Sequence, residues 1–172
     1  YYGLEYSLIQ ISISIGLFIP KQYHKRIVVH DHFYLKEEFH LKGIHLSKRN
    51  PTPPANYKGH ISRSCHSLEE VKATKRTCDY VFLSPVFDSI SKLNYNSAYS
   101  NKELKQAHKA GIIDKKVIAL GGIDTNNIKE IKGIGFGGAA ILGALWNKFD
   151  LCNTNDYQEL IAHFKKLKKL AD

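Results

Sequence analysis

The sequence predicts an α/β fold of consecutive βα units, a (β/α)8 barrel that is N-terminally incomplete, with about six of the eight units recognisable. Three observations predict it. From residue 26 onward, short β-branched or apolar runs alternate with longer segments of helical polar-apolar periodicity, the pattern of strands laid parallel by crossover helices. Two consecutive strand candidates run into glycine turns, Gly121-Gly122 and Gly143, and ligands of barrels sit beyond the carboxyl ends of the strands. At 172 residues, the chain falls short of the about 200 to 250 that a complete barrel needs, so units are missing. It contains no Met and begins with Tyr1, and on that ground is not expected to be an intact translation product.

The strand candidates are residues 26–29, 43–46, 59–62, 80–83, 117–120 and 138–142. Helical candidates lie between and after them at 35–39, 67–74, 101–110, 126–131 and 156–170. Ser67 followed by Leu68, Glu69 and Glu70 marks a helix start: the Ser hydroxyl can accept the amide at the third helical position while Glu70 reaches back. Asp124-Thr125-Asn126 places capping side chains directly after the Gly121-Gly122-Ile123 turn. Three prolines between Asn50 and Asn56 make that stretch a loop. Residues 1–25 stay unassigned, because Ile11-Ser12-Ile13-Ser14-Ile15 alternates like a strand where position suggests a helix. With no repeat, linker or low-complexity tract, residues 1–172 read as a single domain.

Composition narrows the function classes. An apolar content of 43% supports a sizeable core and excludes disorder and collagen-like chains. The net charge of +9 resides in scattered lysines and in Lys165, Lys166, Lys168 and Lys169. Tyr157, Leu160, Ile161, Phe164 and Leu167 recur there at helical spacing, so the lysines are expected on the opposite, solvated face. Nucleic-acid binding would need aromatic and basic residues interleaved on one surface, a pattern not found. A general attraction for anionic substrates remains. The apolar stretch 8–20 is broken by Ser and Gln and is too short for the roughly 20 residues of a membrane span. The three cysteines, Cys65, Cys78 and Cys152, form no CxxC pair and follow no secretory signal, which points to a reducing, cytoplasmic compartment.

Candidate site residues follow from the strand ends. Asp31, in His30-Asp31-His32, can hold a hard cation such as Mg2+ bridging a phosphorylated substrate, or can simply be a hydrogen-bonded loop Asp. Zinc on His30, His32 and His45 is disfavoured, since no HExxH or Cys/His spacing accompanies them. Ser64 can donate to a phosphate oxygen, although a Ser just before a capped helix is more often structural. Cys65 and His66 are neighbours in sequence only, which does not make a nucleophile and base. The densest anion site is Asp88-Ser89-Ile90-Ser91-Lys92, where two hydroxyls, loop amides and a lysine can wrap a phosphate. Gly122, Leu142 and Gly143 offer backbone amides after the last two strands, as phosphate sites of barrels do.

Taken in order, HDH, GIHLS, SRSCHSLEEV, DYVFLSPVFDSISK, ALGGID and GGAAILGALW resemble the thiamine phosphate synthase family. DYVFLSPVFDSISK is similar to that family's DYVGxGPxxPTxTK, and ALGGI to its AIGGI. The resemblance covers roughly residues 24–170. It implies a TIM barrel that joins hydroxymethylpyrimidine pyrophosphate to thiazole phosphate, with Mg2+ and cationic donors drawing off pyrophosphate while the thiazole nitrogen captures the pyrimidine cation. By motif position, His30 replaces the family's Asn and Asp31 matches the first Mg2+ carboxylate. Ser64 and Lys92 match the pyrophosphate side, with Lys92 the catalytic group. Ser89, Ile90 and Ser91 match the turn on the thiazole phosphate, as do Gly122, Leu142 and Gly143.

Three further departures go with the resemblance. Asn50 stands where a GQxD pattern supplies the second Mg2+ carboxylate, Gly143 stands where the family has Ser, and the QxRxK element has no counterpart before Arg26. A sister branch, the TenI-like thiazole tautomerases, carries a His where this chain has Pro85, although SRSCHSLEE resembles that branch closely. Transfer is therefore the leading expectation. The tautomerase and a non-catalytic or regulatory phosphate-ligand binder are the alternatives. Expected partners are phosphorylated small molecules, with no nucleic acid and no membrane, and homo-oligomer formation is left open.

Overall fold

The computed structural model describes residues 18–88, 97, 99–147 and 156–171. The chain forms two compact units, Tyr1–Arg63 and Ser64–Asp172. Among the described residues six strands follow one another in chain order: β1 (Val28–Val29), β2 (Gly43–Leu46), β3 (His60–Cys65), β4 (Tyr80–Leu83), β5 (Val117–Leu120) and β6 (Gly138–Ala140). The pairs β1–β2, β2–β3, β4–β5 and β5–β6 are all parallel. This is the α/β alternation that the sequence predicts, and no helix among the described residues is long and apolar enough to cross a membrane.

In the first unit, Pro20 opens a 3-10 turn over Lys21–Arg26, with Ile27 as its cap, and so takes up Arg26, the residue expected to begin the first strand. The His24 imidazole pins this turn, with Nδ1 2.9 Å from the Phe39 carbonyl and Nε2 3.0 Å from that of Ile19. Strand β1 therefore starts at Val28. Helix α1 (Tyr34–Glu38) follows it and lays Leu35 into a core of Val29, Leu41, Ile44 and Leu46. All four residues of β2 are buried, as expected of a strand covered on both faces.

In the second unit, helix α2 (Leu68–Thr74) is capped as the sequence predicts: Ser67 Oγ accepts the Glu70 amide at 3.1 Å. Glu70 reaches back to the amide of His66 at 2.7 Å, one residue beyond the capping residue itself. Helix α3 (Asn101–Lys109) has a complete capping box between Ser100 and Glu103. Helix α4 (Ile128–Ile134) starts two residues later than expected, because side-chain bonds hold the preceding turn. Asp124 accepts the Asn126 amide at 2.7 Å, and Asn127 Oδ1 accepts the Asp124 amide at 2.9 Å. It ends at Gly135, whose φ of 107° suits glycine alone.

A short helix α5 (Gly143–Trp146) follows β6, and α6 (Asp156–Ala171) closes the described chain. Strand β6 stops at Ala140, two residues before the expected end. On α6, Leu167 is buried, but Tyr157, Ile161 and Phe164 are about half exposed. The apolar spacing was thus a true helix signal and only partly a core signal.

Candidate functional site

In the first unit the parallel register sets three polar residues side by side at the carboxyl ends of the strands. Val29 pairs with Ile44 and His45 with Ser62. His30, one residue beyond Val29, therefore arrives beside His45, and the two rings stack with centroids 4.3 Å apart. His45 is buried, and its Nδ1 lies 2.9 Å from the equally buried Ser62 hydroxyl. Burial pushes the His45 pKa down to about 4, and the neighbouring His30 adds to the depression. His45 is thus a neutral imidazole at the floor of the site. Ser62 has no exposure, so this Ser–His pair supports the floor and cannot attack a substrate.

Asp31 follows at the rim, carried by a turn in which His32 has a φ of 54°, the left-handed region. The next strand's loop folds back on itself, with the Ser47 amide donating to the Asn50 carbonyl at 3.1 Å. That turn aims two side chains at Asp31. Asn50 Nδ2 donates to Asp31 Oδ1 at 2.5 Å, and Arg49 Nη2 reaches Asp31 Oδ2 at 3.0 Å. The structure thus brings His30, Asp31 and Asn50 together and adds Arg49, which sequence reasoning passed over. A basic residue beside Asn50 was a visible signal, but its partner was not.

In the second unit, the backbone beyond β4 runs along the end of β5: the Val86 amide donates to the Leu120 carbonyl and that of Phe87 to the Gly121 carbonyl. Gly122 has a φ of 66°, and a Cβ there would stand 2.2 Å from the Asp88 carbonyl oxygen. Only glycine lets the chains approach this closely. The Gly122 carbonyl is held by Asn127 Nδ2 at 2.8 Å. Ser97 fastens the same place, its amide on Asp88 Oδ1 at 2.8 Å and its hydroxyl on the Val86 carbonyl at 2.7 Å. Ser89, Ile90, Ser91 and Lys92 lie outside the described residues.

The pairing of Leu120 with Ala140 sends the Gly121-Gly122 turn and the Ile141-Leu142-Gly143 turn off neighbouring strand ends. Leu142 is exposed and Gly143 opens α5. Ser64, half-buried at the start of this unit, precedes the capped helix. His66 Nδ1 is 3.0 Å from the Ser84 carbonyl, and Cys65 is buried with its thiol 3.3 Å from the Thr74 hydroxyl.

The donor set at Asp31 does not fit Mg2+. A magnesium site takes an octahedron of oxygens from one or two carboxylates, waters and substrate phosphates. Among the described residues one carboxylate stands here, enough by number, but both of its oxygens are engaged, one by an amide N–H and one by a guanidinium. A divalent ion on Asp31 would have to displace or sit against the Arg49 charge. Among the described residues no group of three or more His, Cys, Asp or Glu could hold a metal ion.

Parallel βα units with polar and glycine-rich turns at the strand ends define an α/β protein of the barrel-unit class. The thiamine monophosphate synthase family model matches residues 18–145, and the chain belongs to that family. It is similar to the thiamine phosphate pyrophosphorylase of Bacteroides thetaiotaomicron, whose crystal structure superposes with a TM-score of 0.86 at 56% identity, covering 96% of this chain and 79% of that one. The thiamine phosphate pyrophosphorylase of Pyrococcus furiosus, at 19% identity and a TM-score of 0.59, shares the fold over 91% of this chain and 81% of its own. The thiamine-phosphate synthase of Actinobacillus succinogenes is 29% identical over 150 residues, 83% of this chain and 66% of that protein. The chain thus spans just under two thirds of that relative's length.

Proposed function

We propose that this chain carries out thiamine phosphate synthase-type transfer in thiamine biosynthesis on the units of a (β/α)8 barrel. In this reaction the bond between the pyrimidine methylene and the pyrophosphate oxygen breaks, pyrophosphate leaves with the bonding pair, and the thiazole nitrogen donates its lone pair to the methylene carbon. No external oxidant or base is needed. The protein's task is to hold two anions and to stabilise the charge that grows on the leaving group.

The observation that carries the reading is the family match over residues 18–145, taken with two anion-type loops at strand ends. In the first unit, His30, Arg49 and the Asp31–Asn50 pair are read as the groups for pyrophosphate; Ser64 and Lys92, which belong to the second unit, are given the same anion by motif alone. Lys92 is the catalytic cation on the leaving group. In the second, Ser89, Ile90, Ser91, Gly122, Leu142 and Gly143 are assigned to the thiazole phosphate, held by hydroxyls and amides. Supporting this side is the close approach of Gly122 to Asp88, the residue next to Ser89. Magnesium is implied by the resemblance alone, and the donor set at Asp31 does not fit it.

On the same reading the partners are phosphorylated small molecules and the compartment is cytoplasmic, in keeping with buried Cys65 and Cys78, neither of them in a disulfide. Asn50 in place of a carboxylate favours one second reading, a barrel that binds thiazole phosphate without turnover. The two separate in a single assay with both substrates, following thiamine phosphate and pyrophosphate by chromatography. Product formation is expected. Binding of thiazole phosphate with no product would replace transfer by the binder.

A further inference from the structure

We infer that Arg49, held by Asp31, takes the place of the divalent cation in this protein, so that the first unit binds a diphosphate without metal. The inference rests on the transfer reading for the identity of the anion, and on the geometry of the first unit for everything else. Arg49 is not a stray surface charge. Its Nη2 is bonded to Asp31 Oδ2 at 3.0 Å, while its side chain is 78% exposed. The carboxylate fixes the guanidinium at the strand ends, and the planar fork has five N–H donors, of which this bond uses only part. A fork of this kind takes two phosphate oxygens at once.

The charge arithmetic agrees. Two carboxylates with one divalent cation sum to zero, and so do Asp31, Arg49 and the uncharged Asn50. Asn50 contributes what a second carboxylate would forbid: its amide N–H satisfies Asp31 Oδ1, so the anion of Asp31 is fully compensated with no metal present. A second carboxylate at this distance would repel Asp31 and demand a cation. The tight turn between Ser47 and Asn50 presents both side chains from one loop, so the substitution of metal by guanidinium is a property of a single short segment.

The test is isothermal titration of inorganic pyrophosphate into the chain, once in EDTA and once in excess Mg2+, with Mn2+ binding followed separately by electron paramagnetic resonance. Binding in EDTA is expected, with no tight Mn2+ site in the absence of pyrophosphate. Arg49→Gln, at an exposed position that folding does not need, is expected to weaken pyrophosphate in EDTA by about ten- to a hundredfold, the loss of one charged hydrogen-bonding group. Binding seen only with Mg2+, no binding in either condition, or equal binding by Arg49→Gln in EDTA each overturns the inference, whatever the product assay gives. Metal-free binding through Arg49 without thiamine phosphate formation overturns the transfer reading instead and leaves the inference standing.

Discussion

His45 makes the stability of the first unit dependent on pH in a calculable way. Its imidazole is 1% exposed, bonded to the Ser62 hydroxyl and stacked on His30, and burial holds its pKa near 4 where an unperturbed histidine has 6.5. Between those two values the unfolded chain binds a proton that the folded chain refuses, so stability rises with pH there. Native stability is therefore intact above about pH 6.5 and declines as the pH falls toward 4, by about 3 kcal/mol in all at 1.36 kcal/mol per pKa unit. Other carboxylates and histidines also titrate in that range, so the comparison is with His45→Phe, which keeps a ring against His30 and cannot protonate. Urea unfolding followed by far-UV circular dichroism at intervals from pH 7.5 to 4 gives both curves. The wild-type protein is expected to lose about 3 kcal/mol more than the variant over that range. Parallel curves would refute the assignment of His45 as a buried neutral group.

The other predictions concern the remaining polar contacts. Lys92→Ala is expected to abolish thiamine phosphate formation with an unchanged circular dichroism spectrum, and unchanged turnover would mean that the pyrophosphate side has been misplaced. Gly122→Ala forces a side chain into a left-handed backbone, about 1 to 3 kcal/mol, and drives Cβ to 2.2 Å from the Asp88 carbonyl. A fall in melting temperature together with weaker thiazole phosphate binding checks it. Lys75 Nζ donates to Asp114 and to the carbonyls of Gly111 and Ile112, so Lys75→Met should destabilise the second unit by about 1 to 3 kcal/mol in urea unfolding.

Strand identity was legible in the sequence because buried parallel strands are short apolar runs, as in Gly43–Leu46 and Tyr80–Leu83. Ends were less legible. Nothing in the residues 26–29 announces that Pro20 and the His24 bonds will draw Arg26 into a turn, since both His24 partners lie elsewhere in the chain. The same limit explains the site. Asp31 and Asn50 were readable as individual positions, 19 residues apart. That Arg49 closes on Asp31 depends on how the Ser47–Asn50 turn folds back over the strand ends, a three-dimensional fact. The His45–Ser62 contact needs the register of β2 against β3, which no periodicity encodes. On α6, helical spacing was plain, whereas half-exposed Tyr157, Ile161 and Phe164 show that spacing alone does not say how much of an apolar stripe is covered.

The charge balance at Asp31 can be reversed by design, and that is the sharpest check on why Asn50 is there. In the double variant Arg49→Gln, Asn50→Asp, the guanidinium is gone and two carboxylates face each other where an amide now donates at 2.5 Å. Unpaired like charges at that separation cannot both ionise without a cation between them. The double variant should therefore acquire a melting temperature that climbs with Mg2+. Ligand linkage sets the size: Mg2+ at about a hundred times its dissociation constant adds about 2.7 kcal/mol. For a chain of 172 residues, each kcal/mol moves the midpoint by roughly 2 to 4 °C, so the climb should be roughly 5 to 10 °C. Wild-type protein should stay flat over the same titration, because Arg49 already supplies the positive charge. An equal climb in the wild type would mean that Mg2+ displaces Arg49 from Asp31 at little cost, and the guanidinium would then be a placeholder for the metal and not its replacement.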